Sequence, residues 1–458
     1  MASAAGFVEF GARFARLFIL SRLLAPGEFG IAVAITIVVT TMELMADVGL
    51  EKFIMVRPAA DARQALAAAH AIQLSRGLLL FALMLLLAGP AVTFFGIPQA
   101  VTSFEFAALV PLVRSFWHLD IKQRRRDYDY RAEALAVTTS NVTALAVAAL
   151  AAATILPDHR VIVLALLVEA AVYAVASHIL AHAPMRVIPD RETLRQSLAY
   201  GLPLMLNGAA LAIISQADRM VVGRFFGMDI LGVYAVILSL AVTPTSLMGK
   251  ITCDLGISML ARSQDNSRRH LETYLWLAWF FAFLAFGYAV FIGLTLDVLV
   301  PFVFGKAYAV GIDPVILISA IVFLRILRGG PTVELLVSGA TSRLTLATLM
   351  SVFGIAAAAA LAQVHPVLTS VLTGVLFGDV LTMVLLQRAV IARIHKGMGS
   401  LWRCLAVAFA GIATLMTTLW LLPDPSWTNR GIVAAFGALP AAILGYGVLR
   451  RWRLREIA

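Results

Sequence analysis

Fourteen apolar stretches of about twenty residues follow one another through this chain, and together they fill almost all of it. They run over 3–24, 29–50, 66–95, 100–118, 132–156, 161–183, 198–221, 229–255, 271–300, 311–337, 343–364, 367–391, 400–422 and 429–449. Each has the length a helix needs to cross a bilayer, about 20 residues. The connectors are short, and none is long enough to fold as a catalytic or ligand-binding domain in water. Hydrophobic residues make up 61% of the 458 and charged residues only 14%, against roughly 25% charged in soluble domains. Lipid is therefore the main solvent, and the expected fold class is an all-α integral membrane protein. The first stretch is charged and the fourth contains Arg114, so these two are the weakest spans.

The connectors alternate in charge. With the N-terminus placed on the cytoplasmic side, the cytoplasmic connectors and the C-terminal tail hold 25 of the 36 Lys and Arg residues, and the opposite connectors hold 6. The remaining five, Arg13, Arg16, Arg76, Arg114 and Lys250, fall inside spans. Such a bias sets orientation: multi-pass, both termini cytoplasmic, with 450–458 a basic tail. Adding or removing one span would scramble it. The net charge of +10 is thus a matter of sidedness, and the basic clusters lack the stacking aromatics of nucleic-acid binders. The longest polar stretch, WHLDIKQRRRDYDYR at 117–131, reads as a cytoplasmic anchor. Cys253 and Cys404 lie far apart in apolar runs and read as small core residues. No metal spacing or cofactor box is present. The opening MASAAGFVEFGARFARLFILSRLL lacks the clean apolar run of a cleavable signal. It is expected to be the first span, starting almost at Met1, with a few residues of a usual leader missing.

The chain repeats itself. SRLLAPGEFGIAVA (21–34) aligns without gaps on GRFFGMDILGVYAV (223–236), placing Arg22 on Arg224 and Gly30 on Gly232. ADVGL (46–50) is similar to CDLGI (253–257), and TFFGIPQAV (93–101) to FVFGKAYAV (302–310). The offset drifts from 202 through 207 to 209, as small insertions would cause. Six spans per repeat is even, so both copies keep one orientation. The expectation is two pseudo-symmetric six-helix lobes, 1–183 and 198–391, joined by a cytoplasmic linker at 184–197 and followed by two additional spans over 400–449. Gly30 and Gly232 read as punctuation of tight outer turns.

Charge inside a span costs about 2.5–3.5 kcal/mol on insertion scales, so these residues are expected to be paired or to line a wet cavity. Glu9, Arg13 and Arg16, spaced by four and three, share one face of the first helix. Thr36, Thr40, Glu43 and Asp47 form a second stripe; Ser239, Thr243, Ser246 and Lys250, followed by Asp254, a third. The seventh span offers Asn207, Ser215, Asp218 and Arg219, and the third offers Gln73 and Arg76. Two readings stay open for Arg13: a pair with Glu9, or a bridge to Glu43, which lies at similar depth in the second span. Arg16 is deeper and reads as a cavity residue. Arg114, Arg325 and Arg328 read as anchors at helix ends, His70, His178 and His182 as surface or interfacial residues. Glu169, Asp297 and Asp379 are left without a role.

RLLAPGEFG followed by a helix ending in MADVGL, then ADRMVVGRFFGMDILGVYA and VFGKAYAVG, resembles the polysaccharide exporters and oligosaccharide-lipid flippases of the multidrug/oligosaccharidyl-lipid/polysaccharide exporter superfamily. The resemblance implies a V-shaped transporter of the inner membrane. Its cargo is a polyprenyl-pyrophosphate-linked oligosaccharide for polysaccharide biosynthesis, moved by alternating access, with spans 1, 2, 7 and 8 lining the cavity. A polysaccharide polymerase is a possible partner. Under that resemblance Arg13, Arg16, Arg76 and Lys250 are expected to grip the pyrophosphate, since Arg can hold it bidentately. Glu43, Asp47, Asn207, Asp218, Arg219 and Asp254 are expected to be cavity or coupling groups. Three alternatives stay open. A cation-coupled multidrug antiporter would favour an acidic cavity. A membrane-embedded polymerase or glycosyltransferase would need a sizeable loop. A scaffold or channel would not require the two-lobed repeat. No Walker motif is present, and the reading is of a non-enzyme.

Overall fold

The computed structural model describes residues 2–56, 61–187, 191–394, 398–422 and 426–457, and among them there are helices and turns but no strand. In hydrocarbon every backbone N–H and C=O must be satisfied within its own segment, and helices do that. Ten helices are long and apolar enough to cross a membrane by length and composition. The other four of the expected spans have identifiable reasons to fall outside that count. Ala2–Leu23 is 22 residues long but carries Glu9, Arg13 and Arg16. The fourth span is broken into Val101–Ala107 and Leu109–Arg114, and the tenth into Ile312–Leu327 and Gly329–Val337. Both breaks fall next to the residue four before a proline, Pro111 and Pro331, whose ring clashes with that carbonyl. The seventh and eighth spans run together over Arg191–Ala261. They part at Gly227, whose φ of 82° is open to glycine at no steric cost.

The chain forms two compact units, Met1–Ala235 and Val236–Ala458. In the first, the repeat is visible as a reciprocal contact. A Cβ on Gly30 would stand 1.8 Å from the Met228 carbonyl oxygen, and one on Gly232 2.7 Å from that of Pro26. Under the offset of 202, Gly30 corresponds to Gly232 and Pro26 to Met228, so the two contacts are each other's images. These glycines are therefore not turn punctuation, as their sequence context suggests. Both lie inside helices and let two backbones touch, the usual role of small residues where membrane helices cross. Gly201 and Gly208 do the same against the backbones of Val48 and Leu44, laying the seventh span along the end of the second.

Another repeat motif also keeps its shape. The long helix Ala62–Phe95 ends at Gly96 with φ 70° and continues into a 3-10 turn, Pro98–Ala100. Ser267–Phe304 ends at Gly305 with φ 113° and continues into Lys306–Tyr308. The match of ADVGL to CDLGI does not carry over. Gly49 has φ 62° and donates its N–H to the Asp47 carboxylate at 3.0 Å, turning the chain. Gly256 stays within the helix Thr243–Ala261.

In the second unit, the last two spans, Met398–Leu421 and Trp427–Ile457, pack on Ser267–Phe304. Gly447 lies against the Trp279 ring and Gly411 against Phe286. The basic tail is not a separate segment, because residues 450–457 continue the final helix. Arg451 pairs with Glu272 at 2.6 Å, and the Arg455 guanidinium sits 4.4 Å from the centre of the Trp452 ring.

Candidate functional site

The helical stripes of the first unit converge on Glu169, a carboxylate only 6% exposed in the span Arg160–Leu180. Arg16 reaches it at 2.9 Å, Arg114 at 3.6 Å and Arg13 at 3.9 Å. Arg114 also holds Glu43 at 2.5 Å, and Arg13 holds Glu9 one turn away at 2.8 Å. Of the two readings open for Arg13 the structure has the pair with Glu9, while Glu43 is held by Arg114, so Arg114 is a hub of this network and no mere anchor. The fourth span places it there: its break at Ala108 lets Leu109–Arg114 run on separately, and Gln73 ties the following turn. The Gln73 side-chain amide donates to the carbonyls of Ser115 at 2.9 Å and Trp117 at 2.8 Å.

Two arginines on one helix differ in exposure. Arg16 is 11% exposed, whereas Arg13 is 56% exposed. Within the network three arginines face three glutamates, so its formal charge is zero, as burial requires of ionic groups. Next to it lies a cavity of about 270 Å³ lined by Glu43, Asp47, Glu51, Arg76, Arg114 and Lys122 together with Thr40, Gln73 and Trp117. Arg76 faces Asp47 at 3.8 Å and donates to the Ala46 carbonyl at 3.4 Å. Glu51, just past the second span, is bonded by Lys122 and lies 3.4 Å from Arg125. Burial alone would raise the Glu51 carboxyl, but Lys122 and then Arg125 outweigh it and hold the group below its ordinary range. The cavity too balances three acids with three bases.

The remaining expected residues separate into distinct settings. Asp218 is buried and accepts from the Tyr234 hydroxyl at 2.8 Å, across the Gly227 turn. Its neighbour Arg219 turns to the Gln216 side chain at 3.0 Å. Asn207 lies on the same helix, its side chain outside the described residues. In the second unit, Lys250 and Asp254 are exposed on Thr243–Ala261, and among the described residues neither has an ion pair.

Sequence reasoning missed several partners. Asp379 holds Arg325 at 3.0 Å and Arg328 at 3.5 Å, so these two arginines are paired inside the second unit. Asp297 holds Arg430 at 2.7 Å. His70 is fully buried, contrary to its expected surface position. Its Nε2 accepts the Leu119 N–H at 3.1 Å, and its ring meets the His118 ring edge-on, with 4.8 Å between centres. The signal that could have found Glu169 was its isolation: an acid alone in an apolar span must have a basic partner on another helix. Cys404 is buried and Cys253 half-buried, both free thiols.

Residues 19–313 match the family described as "Polysaccharide biosynthesis protein". No curated protein matches the sequence. Among solved structures, an inward-facing multidrug resistance MATE family transporter of the MOP superfamily is similar at TM-score 0.68 and 16% identity, over 85% of this chain and 96% of that one. The lipid II flippase MurJ in an inward closed conformation is similar at TM-score 0.67 and 12% identity, over 96% and 98%. At these identities the likeness is one of fold, and it extends over nearly the whole length of both proteins.

Proposed function

The chain belongs to the polysaccharide biosynthesis protein family, and we propose that it flips a polyprenyl-pyrophosphate-linked oligosaccharide across the inner membrane by alternating access. Both termini are taken as cytoplasmic from the charge bias of the connectors, and 1–183 and 198–391 as the repeated lobes. The observation that carries the reading is Arg13: a guanidinium within an apolar span, 56% exposed and backed by the buried Arg16–Glu169 pair. A pyrophosphate has the charge and geometry to engage it bidentately and to compete with the glutamates for Arg13 and Arg16. Arg76 and Lys250 are the further bases assigned to the pyrophosphate. Glu43, Asp47, Asn207, Asp218, Arg219 and Asp254 serve as cavity or coupling groups.

The cavity beside the network argues against a cationic drug as cargo. Its acids Glu43, Asp47 and Glu51 are each met by a base, so it offers no surplus negative charge. The test is surface glycan display in a cell lacking its own flippase. Arg13→Gln combined with Arg76→Gln should abolish display while membrane abundance is kept. Arg16→Lys alone should retain only part of the display, because it keeps the charge but loses the planar fork. Full display by the Arg13/Arg76 double variant would remove the pyrophosphate reading.

A further inference from the structure

A second cavity in the first unit, about 250 Å³, has a different electrical character. Arg63, Leu66 and Ala67 form one wall, on the first turns of Ala62–Phe95; the extended segment around His182, Pro184 and Arg186 forms the other. Among the described residues, no carboxylate lines it and neither Arg63 nor Arg186 has an ion pair, in contrast to the matched charges of the larger cavity.

Both walls are fastened to one connector, which fixes the cavity between them. The His182 N–H donates to Asp120 at 2.8 Å, and the Arg124 guanidinium donates to the Leu180 carbonyl at 3.1 Å. On the other wall the Gln123 side chain donates to the Ala62 carbonyl at 3.3 Å. Asp120, a buried acid, is engaged by that backbone N–H and is not itself among the lining residues.

We propose that this cavity binds a small soluble phosphate-type anion: inorganic phosphate or the terminal phosphate of a phosphorylated solute. Two arginines with no ion pair among the described residues form the kind of cluster that recognises phosphate oxygens. The volume lies below the 300–1,000 Å³ of sites for drug-sized ligands, which favours a small group. Ala62–Phe95 has 34 residues, about 51 Å at 1.5 Å per residue, longer than the about 30 Å of hydrocarbon it crosses. Arg63 stands in its first turn, so the cavity lies at the end of the helix, outside the hydrocarbon.

The experiment is equilibrium dialysis of radiolabelled inorganic phosphate against the full-length protein in phosphatidylcholine nanodiscs. One saturable site per chain is expected. Arg63→Gln and Arg186→Gln should each weaken it on the order of tenfold. Pro184→Glu, which places a carboxylate on an exposed position of the lining, should abolish it with an unchanged melting temperature. Arg262→Gln, at an exposed arginine of the second unit, should leave it unchanged. Absence of a saturable site overturns the proposal, as does equal binding by the Arg63 and Arg186 variants or by Pro184→Glu. Loss of phosphate binding on replacing phosphatidylcholine by phosphatidylglycerol would assign the cavity to a lipid headgroup and overturn the soluble-anion assignment.

Discussion

Removing Arg16 alone should damage the protein in a way that removing its partner as well repairs. Arg16 and Glu169 are 11% and 6% exposed and 2.9 Å apart. Breaking a buried pair by deleting one member leaves an uncompensated charge, at a cost of about 3–5 kcal/mol. Arg16→Ala should fall at the lower end of that range, about 3 kcal/mol, because Arg114 at 3.6 Å and Arg13 at 3.9 Å still face Glu169. In Arg16→Met with Glu169→Gln, two arginines, Arg13 and Arg114, remain against two glutamates, Glu9 and Glu43. The network is neutral again, and replacing a buried pair by groups of similar volume is often close to neutral in stability. Melting of the purified protein in detergent should therefore drop for Arg16→Ala and recover most of the way in the double variant. Glycan display should stay low in both, because the arginine assigned to the cargo is missing in both. A double variant as unstable as the single would refute the charge-balance argument. A double variant that displays glycan normally would remove Arg16 from the transport site.

Three further outcomes are expected. Ala at Gly30 or Gly232 should push two touching backbones apart and destabilise by about 1–3 kcal/mol; Gly11→Ala, with nothing within 4 Å, should be silent in the same melting assay. Reporter fusions near Arg125, Arg191, Arg268 and Arg393 should report one side of the membrane, and those near Pro98, Asp158 and Pro366 the other; two adjacent connectors on one side would break the span count. Because the Glu51 carboxyl is held below its ordinary value, its contribution to stability is fully present above the unfolded value of about 4.3 and is lost as pH falls through the lower folded value. Glu51→Gln should accordingly cost stability at pH 7 and nearly nothing once the carboxyl is protonated, as read from melting temperature across pH.

The sequence alone determined the solvent, the span count and the repeat, because each rests on a local or periodic property. Length and apolarity decide whether a segment crosses lipid, and the likeness of TFFGIPQAV to FVFGKAYAV is legible in the residues themselves. It also placed Glu9, Arg13 and Arg16 on one face, since helical periodicity alone does that. Only the tertiary structure decided which charge meets which. Glu169 lies 153 residues from Arg16, and Arg114 lies 71 from Glu43. No local signal distinguishes Arg114 as the partner of Glu43 from Arg13 at a similar depth. The choice depends on how the fourth span breaks ahead of Pro111 and how the helices rotate about their axes. The same holds for Gly30 and Gly232: the sequence marked them as equivalent, but the absence of a side chain becomes a packing requirement only where another backbone arrives.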